Sequence, residues 1–205
     1  MSGVKIQLSG KEQELVEDAA FILTKNVIIQ KVMQLLGEHH EWALQFLESR
    51  RKTLPASCFA LPPKLSRGER YRELPWVMLD LIRDFNREQT LAVRQFFWWG
   101  NFFSSTLQVS GKFKALVVEN ISTLPPEVTA TLYYGVHPSP WEHDFSADNY
   151  QPLNAINMEM LKETLMRQDV LKLARQLPLQ AWSDTPAFLE SSFRYWLELL
   201  AEKRY

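Results

Sequence analysis

The chain has 205 residues, 46% apolar and 12% aromatic, enough to bury a full hydrophobic core in one domain. Basic and acidic residues nearly cancel, 23 against 24, for a net charge of -1, which excludes a whole-chain polyelectrolyte that grips nucleic acid through its field. The lone Cys58 excludes an intramolecular disulfide and a cysteine-based zinc cluster. With a charged N-terminal segment and no run of ~18 consecutive apolar residues, the expectation is a soluble cytoplasmic protein without a membrane span.

Ser9-Gly10-Lys11-Glu12 has capping-box spacing, and Leu15, Val16, Ala19, Ala20, Ile22 and Leu23 follow at helical intervals, so a first helix is expected from Ser9. A second is expected over about 26–50. There Ile29, Met33, Leu36, His40, Ala43 and Leu47 form one stripe and Ile28, Val32, Leu35, His39, Trp42 and Phe46 another. Gly37 marks a point where this helix can divide. Pro55, Pro62 and Pro63 then deny regular structure to 54–63 and separate the helical part, 1–53, from a β-rich centre, 64–137. Strands are expected over 74–81, 91–99, 102–109 and 129–136, with a helix between 111 and 121. In the C-terminal part, 153–205, Asn157 caps a helix stapled by Ile156 and Leu161, and 169–177 reads as another helix. Thr185-Pro186 opens a last amphipathic helix through Leu189, Phe193, Trp196 and Leu200. The whole reads as one α+β domain, 1–205, an antiparallel sheet of about four strands with N-terminal and C-terminal helices packed on it.

The run from Phe96 to Phe103 sets six aromatic rings around Gly100-Asn101, the signature of a two-residue hairpin turn. On that turn Trp99 pairs with Phe102. One face then carries Arg94, Phe96, Trp98, Phe103, Leu107 and Val109 and meets the helices. The other carries Leu91, Val93, Phe97, Trp99 and Phe102 with Gln95, Ser104, Thr106 and Gln108, a mixture suited to a ligand site or to a partly solvated sheet. A turn one residue longer exchanges these faces.

Between Arg50 and Arg72 seven basic residues stand against Glu69 alone. An extended backbone sends Arg70 and Arg72 to one side, where their guanidiniums suit a carboxylate or phosphate; the alternative is a solvated charge run. The expected ligand site therefore comprises Arg67, Arg70, Arg72, Gln95, Trp99, Phe102, Ser104 and Thr106, for a small anionic or aromatic ligand or a peptide. A second candidate is the loop carrying His137, Glu142, His143 and Asp144, with Asp148 behind them, which suits acid–base or metal-assisted chemistry without matching a recognised metal spacing. The neighbouring His39 and His40 point about 100° apart and cannot chelate one ion as an i, i+4 pair does.

No Walker loop, Gly-x-Gly-x-x-Gly motif or nucleophile elbow is present, so no cofactor is expected. The phrases Lys64-Leu65-Ser66-Arg67-Gly68-Glu69-Arg70-Tyr71, Leu74-Pro75-Trp76-Val77-Met78-Leu79-Asp80 and Phe97-Trp98-Trp99-Gly100-Asn101-Phe102-Phe103 resemble those of uncharacterised small bacterial proteins of this length. That resemblance implies no activity. The functional expectation is a non-catalytic binding module. The alternatives are an enzyme acting through the His137–Asp148 loop and an assembly protein meeting a partner or a second copy through apolar helix faces.

Overall fold

The computed structural model describes residues 6–85, 89–155 and 157–202. Its strands are β1 (Lys64–Tyr71), β2 (Leu74–Phe85), β3 (Thr90–Trp98), β4 (Phe102–Ser110), β5 (Tyr133–Gly135), β6 (Tyr150–Pro152) and β7 (Val170–Pro178). Among the described residues they form one antiparallel sheet in the order β1-β2-β3-β4-β7-β5-β6. The α+β class with helices at both ends holds, but the strands number seven rather than four.

The extra strands have physical reasons. β1 is a charged run that reads as loop, yet it is an edge strand with mostly exposed side chains, where no apolar alternation is required. β7 occupies the segment expected to be helical. Its Leu, Lys, Ala, Arg and Gln are good helix formers, but tertiary context outweighs propensity, and pairing along all of β4 from Phe102 to Ser110 overrides it. β5 is shorter than expected, because Pro126–Thr129 closes a helical turn, α4.

The longer helices are α1 (Gly10–Glu17) and α2 (Ala19–Ser49) before the strands, α3 (Lys112–Asn120) and α5 (Met158–Arg167) between strands, and α6 (Thr185–Leu199) after them. The capping box forms: the Ser9 N–H donates to Glu12 Oε2 at 2.7 Å, and Ser9 Oγ accepts from the Glu12 N–H at 3.3 Å. The first break falls at Asp18, whose carboxylate accepts from the Phe21 N–H at 3.1 Å and starts α2. α2 then runs unbroken through Gly37. By length and composition alone α2 is also apolar enough to cross a bilayer. Asn157 caps α5 as expected, accepting from the Met160 N–H at 2.9 Å, while Ile156 lies outside the described residues. Asp184 rather than Thr185 precedes α6, with Pro186 in its first turn.

α2 and α6 cover one face of the sheet. Val32, Leu36 and Leu47 from α2 and Leu189, Phe193 and Trp196 from α6 share a buried core with Leu91, Val93, Phe97, Phe103, Leu107 and Leu173. Each such side chain contributes about 1.5–3 kcal/mol through burial. Trp196 Nε1–H donates to Ser105 Oγ at 2.7 Å, fixing α6 in register with β4. The Asn120 side-chain amide closes the end of α6 on the Leu199 and Ala201 carbonyls at 3.1 and 3.0 Å.

The hairpin forms where expected but with a longer loop. Trp98 pairs with Phe102, Asn101 N–H donates to the Trp98 carbonyl at 3.1 Å, and Gly100 takes φ +73°, a left-handed conformation that favours glycine. The longer turn shifts which β3 face joins which β4 face: β4 keeps its expected sides, while Arg94, Phe96 and Trp98 of β3, expected beneath the helices, lie on the face away from them. Phe103, Leu107 and Val109 join Leu91, Val93 and Phe97 beneath the helices. Phe102, Ser104 and Thr106 join Arg94, Phe96 and Trp98 on the opposite face.

Candidate functional site

That opposite face is where a groove lies. Register places Trp76, Met78 and Asp80 of β2 beside Trp98, Phe96 and Arg94 of β3. Phe96, Trp98 and Phe102 form a small aromatic cluster there, packed by Tyr71, Leu74, Trp76, Met78 and Phe145. Trp76 lies flat over Gly68 of β1: a Cβ at Gly68 would stand 2.7 Å from the indole. This close approach accounts for a glycine within a strand.

The connection between β5 and β6 folds over the face and is held by Tyr71. The Tyr71 hydroxyl accepts from the backbone N–H groups of His143 and Asp144 at 2.7 and 3.1 Å and donates to Glu142 Oε2 at 3.0 Å. Burial is the largest cause of this hydroxyl's raised pKa, and the Glu142 carboxylate adds to it. Tyr71 opens the two-residue turn Arg72-Glu73, with both residues left-handed at φ 47° and 63°. From that turn Arg72 reaches Asp144 at 2.6 Å and Glu142 at 3.4 Å.

Beneath the loop the charges are internally arranged. The Arg94 Nε–H donates to Asp80 Oδ1 at 2.7 Å, and the guanidinium stands 5.2 Å from the Phe85 ring and 5.0 Å from the Trp141 ring. Lys172 is buried, donates to the Glu142 carbonyl and lies 4.8 Å from the centre of the Tyr150 ring. Burial, with repulsion from Arg94, lowers its pKa to about 7. His143 packs against Phe96 with ring centroids 4.9 Å apart. Burial, then Lys172 and Arg94, push its imidazole down to about 3.

Between loop and sheet remains a cavity of about 380 Å³, lined by Arg70, Tyr71, Trp76, Met78, Arg94, Phe96, Trp141 and His143. This lies within the size range of small-ligand sites, and its lining is mostly aromatic with a few polar groups. Among the described residues Arg70 makes no ion pair, and its side chain is the exposed cation at this cavity.

The expected site residues are dispersed. Arg70 lines the groove. Arg67 points to the helix side, its Nη1 3.7 Å from Met33 Sδ, and Arg72 is committed to Asp144. Gln95 is buried on the helix side, and Trp99 packs against the helix-side core. Phe102, Ser104 and Thr106 stand on the groove's face but are buried, Phe102 5.1 Å from the Phe145 ring. Extended geometry placed Arg70 and Arg72 together only in the absence of the turn at Arg72. Phe96 and Trp98 were placed beneath the helices, and Phe97 and Trp99 on the open face, because the turn is one residue longer than Gly100-Asn101 implies; Phe102, Ser104 and Thr106 lie on the expected face.

The alternative loop site is also divided. His143 lines the groove and Asp144 is buried against Arg72, while the exposed His137 borders a separate cavity of about 360 Å³ with Pro138, Asn149, Gln168 and Lys172. Among the described residues no three His, Cys, Asp or Glu side chains gather as metal ligands. Trp76, Met78, Arg94, Phe96 and Trp141 went unrecognised as groove residues. The signal for four of them was their alternation within 74–81 and 91–99, which needed the correct turn to be assigned a face. Comparison with family models, curated proteins and solved structures returns no match.

Proposed function

We propose that this chain is a non-catalytic binding module whose groove takes a small planar ligand, an aromatic ring bearing a carboxylate or phosphate. The supporting observation is Arg70, an arginine without an ion pair among the described residues, standing over a cavity walled by Trp76, Phe96 and Trp141. A ring slid between these walls gains stacking and buried area, and the guanidinium fork orients the attached anion. Arg94 is already neutralised by Asp80, so it serves as a polar floor under Trp141 rather than as a second anion anchor.

Binding is favoured over acid–base catalysis by the state of the groove's histidine. An imidazole titrating near pH 3 stays neutral across the range where general acid–base catalysis is efficient. A thermal-shift screen tests the proposal. Aromatic carboxylates and phosphates are expected to raise the unfolding temperature, acetate and phosphate alone to do so far less, and Arg70→Ala to remove the difference. No aromatic anion stabilising the protein would oppose the proposal.

A further inference from the structure

A second surface lies on the helix side. The N-terminal third of α2 reaches beyond the core with Phe21, Ile22, Leu23 and Val27 exposed, Leu23 at 63% and Val27 at 49%. At the other end of the helix, Leu44 and Leu47 border an apolar cavity of about 280 Å³ completed by Phe59, Leu61, Pro62 and Leu81. Leu44 and Leu61 there are 40% and 45% exposed. Leu23, Val27, Gln30, Gln34, Glu41 and Leu44 follow one another at helical spacing along a single exposed stripe. Leu23 and Leu44 are about 32 Å apart along an unbroken helix, so a chain cannot fold its own exposed end onto its own cavity.

We infer that this stripe pairs with the same stripe of a second copy, the two α2 helices running antiparallel about a two-fold axis near Gln34. Such an isologous contact sets Leu23 of each copy opposite Leu44 and its cavity in the other, so both apolar ends are covered by one symmetry operation. The charges agree with this register. Lys31, which makes no ion pair among the described residues, falls opposite Glu38 of the second copy. A bilayer is the poorer occupant: Glu12, Glu14, Glu17 and Asp18 crowd the exposed end beside Lys11 and a Lys25 paired with Glu69, whereas helices at a lipid surface carry Lys and Arg.

Sedimentation of the full chain across micromolar concentrations tests this. A dimer is expected. Leu23→Glu, at a position 63% exposed, is expected to weaken it roughly tenfold or more with an unchanged circular dichroism spectrum. Lys31→Glu and Glu38→Lys each weaken it, and the double variant restores it, because the two positions are not neighbours within one helix but meet across the axis. A monomer throughout the concentration range overturns the inference. So does a dimer indifferent to Leu23→Glu, or a monomer that floats with phosphatidylcholine–phosphatidylserine vesicles. The groove lies on the other face of the sheet, and ligand binding there stands or falls separately.

Discussion

The Arg72 guanidinium lies 2.6 Å from the Asp144 carboxylate, and this contact ties a tight turn at the edge of the sheet to the loop that roofs the groove. Both turn residues are left-handed without being glycine, which costs about 1 kcal/mol or more each. Arg72 is half-exposed, so its ion pair returns about 1 kcal/mol or less. The turn is therefore maintained for the position of the loop rather than for stability. Replacing Arg72-Glu73 by Asn-Gly is expected to leave chemical denaturation within about 1 kcal/mol of wild type or slightly better. Hydrogen exchange at the amides of His143 and Asp144 is expected to accelerate in the same variant. Unchanged exchange there would separate the turn from the loop.

Gly68→Ala tests the wall of the groove. The added methyl group meets the Trp76 indole at 2.7 Å and must push it toward the cavity. The expected cost is about 1–3 kcal/mol in urea unfolding, with a measurable shift in tryptophan emission. An unaltered spectrum would mean that Trp76 does not rest on Gly68.

The histidines predict acid sensitivity of a definite sign. His143 has a folded pKa of about 3 against a reference of 6.5, so between these values the unfolded chain holds the extra proton. Stability then rises with pH; it is intact above about 6.5 and is lost as pH falls toward 3. His39, pushed down to about 4 chiefly by burial, acts in the same direction. Each group contributes a slope of at most about 1.4 kcal/mol per pH unit. Denaturation midpoints between pH 7 and 4 should flatten in His143→Phe, which keeps the ring against Phe96. A slope equal to that of wild type would place His143 in water.

Gln95 offers the opposite kind of test. It is fully buried under the helices with both amide atoms unpaired. Gln95→Met keeps the volume and removes two unsatisfied groups, so unfolding is expected to require about 1–3 kcal/mol more, with no change in ligand affinity. A weaker ligand response would return Gln95 to the binding site.

Local chemistry was legible in the chain wherever it was self-contained. Ser9 with Glu12, and Asn157 with Met160, satisfy helix-end N–H groups within a few residues, and spacing alone reveals them. The helical stripe through Ile29, Leu36 and Leu47 was equally plain. What depended on distant partners was not. β7 needs β4 to be a strand, and β1 needs only an edge. The faces of Arg94, Phe96 and Trp98 turned on one residue in a loop, where Gly-Asn suits two-residue and three-residue turns alike. The groove followed the same logic, since Arg70 was visible as an unmatched cation but Trp141 reaches it only through a loop anchored 71 residues away on Tyr71.

The binding proposal is tested most directly by titrating an aromatic carboxylate while following tryptophan fluorescence in wild type, Trp76→Phe, Trp141→Phe and Arg70→Ala. Saturable quenching in wild type is expected, with each tryptophan variant losing a share of the signal and Arg70→Ala losing about tenfold or more in affinity. Quenching that is linear in concentration, or equally strong without Arg70 and both indoles, would contradict a ligand site in this groove.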